Sequence, residues 1–205
     1  MTKKRNESIV TPKGTAIYPH LVEPDTKFNA LGEYKVSLAV AEDEAAPLIS
    51  KIEEQISVAK KLIPKGKKEK MADEPYFPEL DDEGQETGRV VFKFKMKAQI
   101  NTKDGRTITM SPKFFDAEGT PAEGIESIWG GSELRISADL IPFYVAAVGA
   151  GVSLRLKAVQ IINLVEGGGA SASNYGFDST EGYVAPKVEK FEEEEAVYAD
   201  EAEDF

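Results

Sequence analysis

From Arg89 to Ile100 apolar and cationic side chains alternate: Val90, Phe92, Phe94, Met96, Ala98 and Ile100 fall on one side, Arg89, Lys93, Lys95 and Lys97 on the other. Successive side chains of an extended strand point to opposite faces, so this segment predicts a β-strand with one core face and one cationic face. A strand of that kind must bury its apolar face against other elements. Tyr34–Ala41 predicts a half-buried strand, because Val36, Leu38 and Val40 alternate with Lys35, Ser37 and Ala39. The stretch Lys13–Val22 reads as a first strand, with Pro19 suiting an edge or a bend. Asp104-Gly105 marks a tight hairpin turn before Arg106–Met110. Later strands are expected within IWGGSELRISADLIPFYV and over Val152–Val165.

One helix is expected. Leu48, Ile49, Ile52, Ile56, Ala59, Leu62 and Ile63 recur at spacings of three and four between Asp43 and Ile63. Asp43 suits its cap, Pro47 is tolerated early, and Pro64 ends it. Lys65–Gly88 lacks periodicity and reads as a long loop holding Tyr76 and Phe77. The organisation expected is a flexible N-terminus over 1–10 and one mostly β domain over 11–165, a small barrel or partly open sheet with a long inserted helix. A Gly/Ser-rich linker over 166–177 and a disordered acidic tail over 178–205 follow.

Composition removes several chemistries. No cysteine occurs and His20 is the only histidine, so thiolate zinc sites, cysteine nucleophiles and paired imidazoles are excluded. Neither Gly149-Ala150-Gly151 nor the glycine triplet at 167–169 leads into a phosphate-loop lysine. Scattered carboxylate pairs such as Asp81-Asp82 are what a magnesium-dependent nuclease could use, and no motif accompanies them. No catalytic residue, metal or cofactor is assigned. Lys3, Lys4 and Arg5 precede no apolar stretch, so neither a signal peptide nor a membrane partner is expected, and a cytosolic location follows.

The net charge of −11 argues against a polyanionic partner until its distribution is read. From Asp178 onward eleven acidic residues face two lysines, while Lys60–Lys70 carries six lysines against one glutamate. Arg89–Lys113 carries seven basic residues against one aspartate. Cations alternating along a strand recur at about 7 Å, near the phosphate spacing of a stretched single strand. Lys35, Arg89, Lys93, Lys95, Lys97, Lys103, Arg106 and Lys113 are therefore candidate phosphate contacts. The competing reading is a solvated edge strand protected by lysines. Stacking candidates are Tyr34, Tyr76, Phe77, Phe114, Phe115, Trp129, Phe143 and Tyr144. Tyr76 and Phe77 are favoured because their loop is polar, whereas Trp129 before two glycines is expected as a buried anchor.

The end of the chain, EEEEAVYADEAEDF, places carboxylates before a terminal aromatic residue. It reads as a solubilising end or as a mimic of nucleic acid. In the second case Glu192, Glu193, Glu194, Glu195, Asp200, Glu201, Glu203 and Asp204 compete for the basic groove while Phe205 enters a partner's apolar pocket.

The segments SIWGGSELRISADLIPFYV and GAGVSLRLKAVQIINL, with the tail ending EDF, resemble the single-stranded DNA-binding proteins of tailed bacteriophages of the T7 type. The resemblance spans Thr11 to Leu164 in layout, plus the tail. It implies an OB-fold core and sequence-independent binding of single-stranded DNA during phage replication, recombination and repair in the infected bacterial cytoplasm. It also implies a tail that engages replication proteins such as a polymerase or primase-helicase, with Phe205 matching the family's tail aromatic. A homodimer and a monomer both remain open. The rival function is an acidic interaction adaptor or structural virion protein that never touches DNA.

Overall fold

The computed structural model describes residues 6–27, 29–102 and 104–165; the linker, the acidic tail with its nine assigned residues, and Lys103 lie outside the described residues. In chain order the elements are β1 (Glu7–Val10), β2 (Gly14–Asp25), β3 (Glu33–Ala41), α1 (Glu42–Lys60), β4 (Tyr76–Leu80), β5 (Glu86–Lys97), β6 (Gln99–Asn101), β7 (Thr107–Thr109), β8 (Lys113–Phe115), β9 (Glu133–Val145) and β10 (Gly149–Asn163). The sheet runs β1-β9-β2-β3-β5-β10-β8, and β9 also pairs with β10. The path from β9 through β2, β3, β5 and β10 thus returns to β9, a five-strand circuit. Two of its seams are short. β2 meets β9 through Gly14↔Leu134 and Thr15↔Glu133, and β5 meets β10 in parallel through Phe94↔Leu154 and Lys95↔Arg155. This is the partly open, OB-like barrel expected from the pattern.

Alternation fills the barrel. Phe92 and Phe94 from β5, Leu38 and Val40 from β3, Leu134, Ile136 and Leu140 from β9, and Leu154 and Leu156 from β10 are all buried. The apolar stripe of α1 (Ala45, Leu48, Ile52) packs over β9 and β10. Gly14 permits the tight crossing of β2 over β3, since a Cβ there would lie 2.6 Å from the Ala39 carbonyl oxygen.

Several expectations change. Glu7–Val10, placed in the flexible N-terminus, is a strand pairing with β9: Ile9 is buried, and the Ser8 hydroxyl donates to Asp139 Oδ1 at 2.6 Å. The helix stops at Lys60, and Lys61, Leu62 and Ile63 donate instead to carbonyls three residues back. The proline at 64 disfavours helical backbone before it, which leaves Leu62 exposed. Ala41 holds the N-cap position and offers no side-chain cap, and Asp43 lies in the acidic first turn. The expected loop over 65–88 contains β4, whose Tyr76, Phe77 and Pro78 pair with Phe92, Val91 and Val90. β4 is an edge strand, where proline is admitted. Asp81 closes the β4–β5 turn by accepting the N–H groups of Glu83 and Gln85 at 2.9 and 2.8 Å. Ile100 leaves the core face because the chain turns at Ala98, whose N–H donates to Gly32 and whose carbonyl accepts from Met110. Beyond it β6 and β7 form a separate two-stranded ribbon with Ile100 opposite Ile108.

Candidate nucleic-acid interface

The outer face of β5 presents Lys93, Lys95 and Lys97 to solvent. Their neighbours follow from register: Lys95 is opposite Lys35 on β3 and Arg155 on β10, and Arg155 is opposite Asp139 on β9. On β10 the pattern Leu154, Arg155, Leu156, Lys157 sends leucines inward and cations outward. Between β5, β10 and the β6–β7 ribbon lies an open groove of about 1010 Å³. Lys95, Lys97, Lys113, Arg155 and Lys157 line it against two carboxylates, Glu33 and Asp139, and Phe115 and Ile141 add apolar surface.

The cations differ in their partners. Asp139 receives Arg155 Nη2 at 3.0 Å and Lys157 Nζ at 3.1 Å, as well as the Ser8 hydroxyl. Burial opposes ionisation of this carboxyl, but the hydrogen bonds from Ser8, Arg155 and Lys157 outweigh it and hold its pKa below the ordinary aspartate value. Lys95, Lys97 and Lys113 have no carboxylate within ion-pair distance among the described residues.

The other residues named from sequence are spread over the barrel. Lys35 bonds to Asp25, a contact that leads in lowering that aspartate's pKa. Lys93 Nζ sits 4.6 Å from the centroid of the Phe77 ring, which is 40% exposed on the outer face of β4. Tyr76, one residue earlier, points inward with its ring centroid 5.8 Å from that of Phe92, and burial raises its hydroxyl pKa. The strand thus separates a pair that the sequence treated alike. Arg89, at the far end of β5, forks onto Glu79 with bonds of 2.6 and 2.9 Å. Arg106 pairs with Asp104 at the ribbon tip. The structure therefore gathers Lys95, Lys97 and Lys113 in the groove, keeps Lys35 and Lys93 beside it, and leaves Arg89 and Arg106 elsewhere. Arg155 and Lys157 were not singled out from the sequence, although their alternation with leucines was the same signal that identified β5.

Residues 13–164 match the family model described as single-stranded DNA-binding protein, bacteriophage T7. The chain is 29% identical over 135 residues to the single-stranded DNA-binding protein of Enterobacteria phage T3, covering 64% of this chain and 56% of that protein. It is 32% identical over 115 residues to the corresponding protein of Escherichia phage T7, covering 55% and 47%. The chain thus spans about half the length of these two relatives. The crystal structure of the single-stranded DNA-binding protein encoded by bacteriophage T7 superposes with a TM-score of 0.67 at 27% identity, over 89% of this chain and 100% of that one. The protein from bacteriophage Enc34 shares the fold, with a TM-score of 0.56 at 18% identity over 82% of this chain and 89% of that one.

Proposed function

This chain belongs to the bacteriophage T7 family of single-stranded DNA-binding proteins, and on that premise we propose that it binds single-stranded DNA along the groove between β5 and β10. The observation that carries this reading is the exposure of Lys95 and Lys97, two residues apart on an extended strand and free of acidic partners among the described residues. A solvated strand normally mixes signs; the outward side of β5 carries only positive charge from Lys93 to Lys97, at a phosphate-like repeat, with Glu33 on β3 opposite its end. Lys113 extends the track, and Arg155 and Lys157 join it by exchanging Asp139 for phosphate. Phe115 in the groove and Phe77 beside Lys93 offer ring faces to unpaired bases. Lys35, Arg89, Lys103 and Arg106 add to the surrounding field.

The binding is independent of sequence, because backbone contacts carry no base information. It serves to coat and protect single strands during phage DNA replication and recombination in the cytoplasm of the infected host. The acidic tail ending at Phe205 competes with DNA for the groove and recruits replication proteins such as the polymerase or primase-helicase.

The test is the affinity of full-length protein, and of protein truncated after Gly176, for a fluorescent oligonucleotide as single strand and as duplex across a salt series. Single strands are expected to win, truncation to tighten binding, and the logarithmic salt slope to include about −2 from three free lysines. A flat salt response removes the groove from the account. No binding at low salt removes DNA, and the adaptor reading then stands.

A further inference from the structure

A second cavity, of about 780 Å³, lies across the barrel wall where β2 passes the Trp129-Gly130-Gly131 turn. Two aromatic side chains open into it, Tyr18 at 84% exposure and Trp129 at 46%. The sequence led us to expect Trp129 as a buried anchor; instead the turn is held by its backbone, and the indole is left available. Gly131 N–H donates to Ala16 at 2.9 Å, Ala16 N–H to Ser132 at 2.8 Å, and Trp129 N–H to Val165 at 3.0 Å. The two rings are therefore carried on mutually fixed backbone.

Tyr18 is the one non-glycine residue with positive φ among the described residues, at +47°. An L-residue disfavours this conformation because of its Cβ, and such outliers concentrate where geometry serves binding. It sits in an irregularity of β2, where pairing with β3 shifts between Ile17↔Ser37 and His20↔Lys35. The bulge accounts for the bend of β2; the ring it carries is exposed and adds nothing to the core.

The charges around the cavity select its occupant. Neither lysine nor arginine lines it, and Glu23 and Glu126 do. With no cation in the lining, the cavity offers a phosphate no countercharge, whereas a neutral flat ring would meet two aromatic surfaces. The cavity also joins the cationic face. His20, on its rim, is opposite Lys35, Lys35 is opposite Lys95, and Lys95 is opposite Arg155. With strands about 4.8 Å apart, Lys35 lies about one strand spacing and Lys95 about two from the rim, within the reach of one to two nucleotides.

We propose that this cavity is a nucleobase-stacking site, in which an unpaired base of the bound strand rests against Tyr18 and Trp129 while the row beginning at Lys35 holds the adjoining phosphates. The proposal rests on the single-stranded DNA reading above and adds the place where bases leave the cationic track.

Trp129 is the chain's only tryptophan, so its emission reports on this cavity. Full-length protein is titrated with a labelled single-stranded oligonucleotide, following label anisotropy and tryptophan emission together; long-chain polyphosphate, which has the charge and no bases, is the control. DNA is expected to quench Trp129 and polyphosphate to leave it unchanged. Tyr18→Gly suits the backbone better, so it should melt at the same or a higher temperature yet bind DNA about tenfold more weakly. Tyr18→Asn, which also tolerates that backbone, should show the same loss. Anisotropy-detected binding with no emission change and unaltered Tyr18 variants overturns this site and leaves the groove standing. Equal quenching by polyphosphate overturns it as well. Absence of any binding by the unaltered protein overturns the DNA reading itself.

Discussion

The two walls of the cationic groove hold their charges in opposite states. On β5, Lys95 and Lys97 project without an ion pair among the described residues, Glu33 opposite Lys97 being the nearest carboxylate in register, and on β10, Arg155 and Lys157 converge on one carboxylate, Asp139. A free surface ammonium gives its full field to an incoming anion. A paired cation must exchange one partner for another, so its net gain is small while its geometry is set in advance. The β5 wall therefore supplies attraction, and the β10 wall supplies a prearranged contact.

The strongest way to break this contrast is to reverse the free pair. Lys95→Glu with Lys97→Glu should weaken single-strand binding by about 3 to 4 kcal/mol, several hundredfold, at low salt. Thermal melting should hardly move, because both side chains are exposed and unpaired. Arg155→Ala with Lys157→Ala should cost nearer tenfold; equal losses from the two pairs, read by anisotropy, would erase the distinction.

A smaller effect sharpens it. Asp139→Asn releases both β10 cations, so binding should tighten about fivefold and the salt slope should steepen by up to about 1.4. An unchanged slope would mean that Arg155 and Lys157 do not reach phosphate.

The smallest effect appears in acid. The folded-state pKa of Asp139 lies below the ordinary value of 3.8, so its contribution to stability is present above that value and fades as pH falls through the depressed one. Asp25 and Glu79 are lowered as well. Melting temperature should therefore decline below about pH 4, and the decline should be shallower in Asp139→Asn.

What could be read from the sequence depended on whether the information was local. The β5 alternation, the Asp104-Gly105 turn and most of α1 are set by side chains a few residues apart, and they formed as expected. β1 and β4 were missed because neither Glu7–Val10 nor Tyr76–Leu80 carries a convincing period of its own. Each is a strand only because β9 or β5 offers it an edge. The same limit applied to Trp129: a tryptophan before two glycines suggests burial, yet the backbone bonds to Ala16 and Val165 secure the turn without the indole. Asp139 was invisible as a neutraliser, because its cations lie on another strand and its hydroxyl donor is 131 residues away.

That last separation also governs how the molecule comes into being. β1 and β2 emerge from the ribosome well before their partner β9, which begins only at Glu133, and the circuit closes only with β10. Until then the nascent chain can complete α1 and the antiparallel contacts among β2, β3, β4 and β5, while the apolar faces of those strands wait uncovered. Contacts so distant in sequence slow folding and lengthen exposure to aggregation. Truncation before Asn163 should thus yield an insoluble product and not a smaller domain, because β10 closes the vessel that β2, β3, β5 and β9 line.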